Sequence, residues 1–121
     1  MARRTLRVTV DPDWKGRLRA AGRRAQKGRP GCDTLNFESP EAFFAHLTPR
    51  RWTLLQALLG AGELPVRELA RRVGRDVRRV HDDVRALVAL GLVERTDSGG
   101  VRCPYRELHV DVRLRAHAAA A

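Results

Sequence analysis

Leu6, Val8 and Val10 alternate with Thr5, Arg7 and Thr9, the period-2 pattern of a half-buried strand. Asp11-Pro12 then supplies a capping residue followed by proline, so a helix is expected from there. Its apolar positions Trp14, Leu18, Ala21 and Ala25 form one thin stripe, and "KGRPG" (27–31) ends it. A short strand, "TLNF" (34–37), follows. Ser39-Pro40 and Thr48-Pro49 repeat the cap-plus-proline signal. The first opens a short helix through Phe43, Phe44 and Leu47. The second opens a longer one with Trp52, Leu54, Leu55, Leu58 and Leu59 on a wide stripe, stopped at "GAG" (60–62).

The next stretch changes rhythm. Val66, Leu69, Ala70 and Val73 share one face of a short helix that Gly74 closes. After a tight "GRD" turn, Asp76 is placed to cap a longer helix with Val77, Val80, Val84, Leu87 and Val88 inward, ended by Gly91. "LVERT" and "VRCPY" flank "DSGG", the pattern of a hairpin with a glycine-rich tip. "ELHVDVRL" (107–114) alternates again and predicts a last strand. Two helices joined by a three-residue turn and followed by a hairpin predict a winged helix-turn-helix. The expected class is α+β. A basic β-α-β extension (1–47) serves sheet, dimer or partner contacts. The winged unit spans 48–105, the C-terminal strand 106–115, and "AHAAAA" (116–121) is a disordered tail.

Charge sharpens this picture. The net charge of +10 favours a polyanionic partner, with nucleic acid first and an acidic protein second. The surplus concentrates in residues 1–30 and 50–95, while 31–49 hold Asp33, Glu38 and Glu41 and no Lys or Arg. With the valines of the second helix inward, its opposite face carries Arg78, Arg79, Asp82, Ala86 and Ala89, and Arg75 stands in the turn before it. Helix-turn-helix proteins read bases mainly with the N-terminal part of that helix. Arg78 and Arg79 suit guanine edges or phosphates, and Asp82 suits a cytosine amino group. Arg95 and Arg102 are the hairpin's arginines, placed to position it on the backbone. Taken alone, the helix face is as well explained as a solvated surface of i,i+4 pairs, Arg78–Asp82 and Arg79–Asp83. The neighbouring short helix, turn and hairpin tip the reading to duplex DNA.

The segment "LTPRRWTLLQALLGAGELPVRELARRVGRDVRRVHDDVRALVALGLVERTDSGGVRCPY" resembles winged-helix regulators of MarR/ArsR type. It is more similar still to short antitoxin-like transcriptional regulators of archaea and bacteria, and the likeness extends over roughly residues 35–114. It implies a sequence-specific repressor, with the antitoxin of a toxin–antitoxin pair, bound to its cognate toxin, as the narrower form. Leu64-Pro65 departs from the Ser or Thr with which many such regulators open the short helix.

Other chemistries find little here. Cys32, Cys103, His46, His81, His109 and His117 show no metal-ligand spacing, and His109 with Asp111 on one strand face is at best half a site. No nucleophile triad, phosphate loop or carboxylate dyad stands out, so neither enzyme activity nor a cofactor is expected. Cys32 and Cys103 read as free thiols first, with a disulfide between them left open. No apolar run approaches membrane-spanning length and no signal-peptide core opens the chain, so a cytoplasmic protein, without a membrane partner, is expected. The runner-up function is an RNA-binding or ribosome-associated basic protein. Against it, Trp14, Phe37, Phe43, Phe44 and Trp52 fall in apolar stripes instead of forming a stacking platform. A homodimer on a two-fold DNA site is expected, because one such unit offers a single short reading surface.

Overall fold

The computed structural model describes residues 4–11, 32–114 and 116. The expected helix with Trp14 and Leu18, and the tail beyond Ala116, lie outside the described residues. Nine elements follow in order: β1 (Arg4–Val10), β2 (Cys32–Phe37), α1 (Pro40–His46), α2 (Pro49–Leu58), α3 (Val66–Val73), α4 (Val77–Ala89), β3 (Glu94–Arg95), β4 (Val101–Arg102) and β5 (Tyr105–Asp111). The fold is mixed α+β, with four helices and two small sheets among the described residues.

The larger sheet has the order β2-β1-β5, and both neighbours run parallel to β1. The first and last strands therefore meet, and the two alternating segments share one sheet. Val8 stands opposite both Leu35 and Val110. Leu6 and Val8 are buried, while Arg7, Thr34 and His109 on the other face are exposed. Parallel sheets are usually covered on both faces; here one face is apolar and the other is lined by Thr, Arg, His and acidic side chains.

The last strand differs from expectation at both ends. It begins at Tyr105, because a register shift sets Tyr105 opposite Arg4 and Glu107 opposite Thr5, so Arg106 is the extra residue of a bulge. Tyr105 is thereby buried, and its hydroxyl donates to Asp33 Oδ2 at 3.3 Å, reaching past β1 to β2. The strand stops at Asp111, opposite Thr9, one residue short of the end of β1. Val112 and Leu114, expected inward by alternation, are consequently 38% and 98% exposed.

The cap-plus-proline starts form as expected. Ser39 Oγ accepts from the Ala42 amide at 3.1 Å and Thr48 Oγ1 from the Arg51 amide at 3.3 Å, with Pro40 and Pro49 opening the helices. The other two helices lack such a bond. Pro65 precedes α3, and the Asp76 side chain makes no capping hydrogen bond, so the expected cap of α4 is corrected to a nearby negative charge. Gly74 closes α3 at φ 67°, a left-handed conformation that suits glycine and turns the chain into α4 within two residues.

Leu54, Leu55 and Leu58 of α2, Leu69 of α3, and Val80, Val84 and Leu87 of α4 are buried together. They share one hydrophobic cluster with Leu6, Val8, Phe37, Phe43 and Tyr105 of the sheet side. On the helices, two residues expected inward are exposed. Val77 is 39% exposed because it is the first residue of α4, a turn ahead of the covered stretch. Phe44 is 62% exposed: α1 buries one ring, Phe43, edge-on to Phe37, and Phe44 lies about 100° further round.

The hairpin strands are two residues each, Glu94 facing Arg102 and Arg95 facing Val101. Leu64, just before α3, adds itself alongside through two backbone hydrogen bonds to Val101 of 2.9 and 2.8 Å. The tip is tied back too, since Ser98 hydrogen-bonds Glu63. Gly100 permits this closeness: a Cβ there would sit 2.8 Å from Glu63 Cγ and 3.0 Å from the Leu64 carbonyl oxygen.

Candidate nucleic-acid interface

The outward side of α4 begins where the sequence places it. Arg78, Arg79 and Asp82 are exposed, and among the described residues none of them takes part in an ion pair. The expected i,i+4 pairs therefore do not form. Asp83 turns away from Arg79 and accepts from Arg51 Nε at 3.1 Å and Arg75 Nη2 at 2.8 Å. Arg51 also donates from Nη1 to the His46 carbonyl at 2.9 Å. One half-buried carboxylate thus joins the start of α2, the turn before α4 and α4 itself. Burial alone would raise the Asp83 carboxyl, but the hydrogen bonds from Arg75 and Arg51 outweigh it and hold the group below the usual carboxylate range.

Arg75 is accordingly corrected. It was expected on the open side of the turn, yet its side chain is only 18% exposed and held by Asp83. Its Nη1 is buried without a hydrogen-bond partner among the described residues. The guanidinium is directed into the protein and braces the turn from within.

The remaining arginines divide by partner. On α3, Glu68 accepts from Arg71 Nε at 2.9 Å and Nη2 at 2.5 Å and from Arg72 Nε at 2.9 Å. Hydrogen bonds from Arg71 and then Arg72 hold the Glu68 carboxyl down to about 2. On the hairpin, Arg102 is taken by Glu94 at 2.7 Å, whereas Arg95 is exposed and makes no ion pair among the described residues. Of the two hairpin arginines singled out in the sequence, Arg95 is the one without an ion pair among the described residues.

On α3 and α4 two further arginines belong with the open set. Arg85 is exposed on α4 without an ion pair among the described residues, and Arg67 is its counterpart on α3. The signal for Arg85 was present: Arg78, Asp82 and Arg85 stand at i, i+4 and i+7, one face of a helix. The back half of α4 thus presents Arg85 as well as Ala86 and Ala89.

His109 is exposed and Asp111 lies beside it along the polar sheet face, where Asp111 is paired with Arg7 at 3.6 Å. Among the described residues no three His, Cys, Asp or Glu side chains come together as a metal site. Cys103 is a buried free thiol, its pKa raised by burial. No described helix is long and apolar enough to cross a membrane.

These observations define a mixed α+β protein whose paired helices and hairpin carry an arginine-rich outer side. The HVO_A0114 family model matches residues 46–110, more than half of the chain, and the protein belongs to that family. The match runs from the end of α1 into β5 and includes every open arginine named above. No curated protein and no solved structure matches the chain.

Proposed function

We propose that the protein is a sequence-specific duplex-DNA-binding regulator of transcription, acting as a repressor. In this reading α2, α3, α4 and the β3–β4 hairpin form a winged helix-turn-helix, and α4 enters the major groove. The observation that carries it is the outward side of α4. Arg78 and Arg79 stand exposed in its first turn beside Asp82, without an ion pair among the described residues, while their neighbour Asp83 is consumed in bracing the fold. Exposed local pairs are worth only a few tenths of a kcal/mol, so arginines left open on this face are available to an incoming polyanion. The two-residue link after Gly74 and the Leu64–Val101 bridge beside the hairpin further support the winged arrangement.

Arg78 and Arg79 are assigned to guanine edges or phosphates, Asp82 to a cytosine amino group, and Arg95 and Arg85 to the backbone. A second copy is assigned to the side of the molecule formed by the β2-β1-β5 sheet, giving a two-fold reader. The antitoxin reading gives that side to a toxin instead.

Competition against a labelled duplex tests the class of ligand. Unlabelled duplex is expected to displace the probe at lower concentration than single-stranded RNA or heparin of equal phosphate or sulfate content. Stronger displacement by single-stranded RNA would replace the DNA reading with an RNA one.

A further inference from the structure

Arginines and carboxylates are distributed over α3 and α4 in a way that charge counting misses. α3 presents three exposed arginines, Arg67, Arg71 and Arg72. Two of them converge on Glu68, whose Oε2 receives both Arg71 Nη2 and Arg72 Nε. Across the turn, the α4 arginines Arg78, Arg79 and Arg85 have no such partner among the described residues. The first helix of a helix-turn-helix crosses the phosphate backbone, where contacts carry affinity without sequence information, while the second reads bases. The carboxylate therefore sits on the helix whose contacts would be indiscriminate.

We propose that Glu68 is a specificity-determining residue, which withholds Arg71 and Arg72 from DNA phosphates so that binding depends on the free arginines of α4. The inference rests on the DNA-binding reading above. A phosphate oxygen approaching Arg71 must displace a bidentate carboxylate, and one approaching Arg72 must break the Nε contact to the same group. The ion pair and the phosphate contact are alike in kind, so exchanging one for the other gains little. Counterions released by the phosphate are offset by the charge left bare on Glu68.

The measurement is the salt dependence of affinity for a scrambled duplex, using the full chain. Each phosphate contact adds about 0.9 to the slope of log affinity against log salt. In Glu68→Gln the slope is expected to steepen by about 0.9 to 1.8 as one or both arginines are released. Affinity for the scrambled duplex rises several-fold and the preference for a selected site falls. Glu107→Gln removes the same charge from the exposed sheet face and controls for net charge; it is expected to leave the slope unchanged. Arg71→Ala and Arg72→Ala in the wild-type chain are likewise expected to leave it unchanged, and in the Glu68→Gln chain to restore it. These arginine variants also test the proposal if Glu68→Gln folds poorly. A slope that falls by about 0.9 for Arg71→Ala or Arg72→Ala in the wild-type chain, or a Glu68→Gln effect no larger than that of Glu107→Gln, overturns the role of Glu68 and leaves the DNA reading standing. Failure of the wild-type chain to bind duplex at any salt removes both.

Discussion

Asp83 shows how one side chain can join several elements. Its two arginine partners come from the start of α2 and from the turn before α4, and it is 17% exposed. Removing its charge leaves Arg51 and Arg75 in each other's field with no anion between them, and Asn offers one acceptor oxygen where the carboxylate uses two. Asp83→Asn is expected to lower stability by about 1–3 kcal/mol, read as a shift in denaturant midpoint. The sign of the pH effect follows from the lowered folded pKa. The stabilisation is complete above the ordinary carboxylate range and is lost as pH falls towards the lowered value. Wild type and Asp83→Asn should therefore differ most near neutrality and converge in acid; a constant gap at all pH values would assign the effect to packing alone. At the same scale, Arg78→Ala and Arg79→Ala are expected to cost about 1–3 kcal/mol of binding on a selected DNA site and to relax its sequence preference, with the melting temperature unchanged. Retention of full specific affinity in both variants would remove α4 as the reading helix.

Between elements, the α3–α4 turn is set by Gly74 at φ 67°. Gly74→Ala forces a Cβ into left-handed backbone and is expected to cost about 1–2 kcal/mol, seen as a lower unfolding midpoint, although no neighbouring atom obstructs the methyl group. Unchanged stability would mean that the turn relaxes freely. Such local features were legible in the sequence. Ser39 and Thr48 reach only three residues ahead to cap their helices, so a short window contains the whole interaction. The same holds for the glycine stop of α3 and for the alternation of β1. What depended on distant partners was not legible. Arg51 lies 32 positions from Asp83, and a local i,i+4 rule chose Arg79 instead. At the end of β5 alternation continues to Leu114, whereas pairing with β1 ends at Asp111 and the residues just beyond it are exposed. The central place of β1, with parallel neighbours from both directions of the chain, had no periodic signature at all.

Over the whole molecule, one hydrophobic cluster runs from the sheet made by the two ends of the chain to the helices that carry the arginines. Charge is placed unevenly along the chain: residues 31–49 are acidic, while 1–30 and 50–95 are basic. A basic side on α3 and α4, set on a core shared with the sheet, is suited to hold a rigid reading surface against a polyanion. In sedimentation the full chain is expected to behave as a dimer, and a monomer protecting a single asymmetric half-site would assign the sheet to a different partner. The central claim is that α4 reads duplex sequence and does not merely attract phosphate. The most direct measurement is affinity for a duplex selected from a random pool and for a scrambled duplex of the same composition, titrated over a range of salt. Both affinities should fall steeply as salt rises, with the selected duplex remaining tighter by about a thousandfold or more. Equal affinity for the two duplexes at every salt concentration would contradict the account.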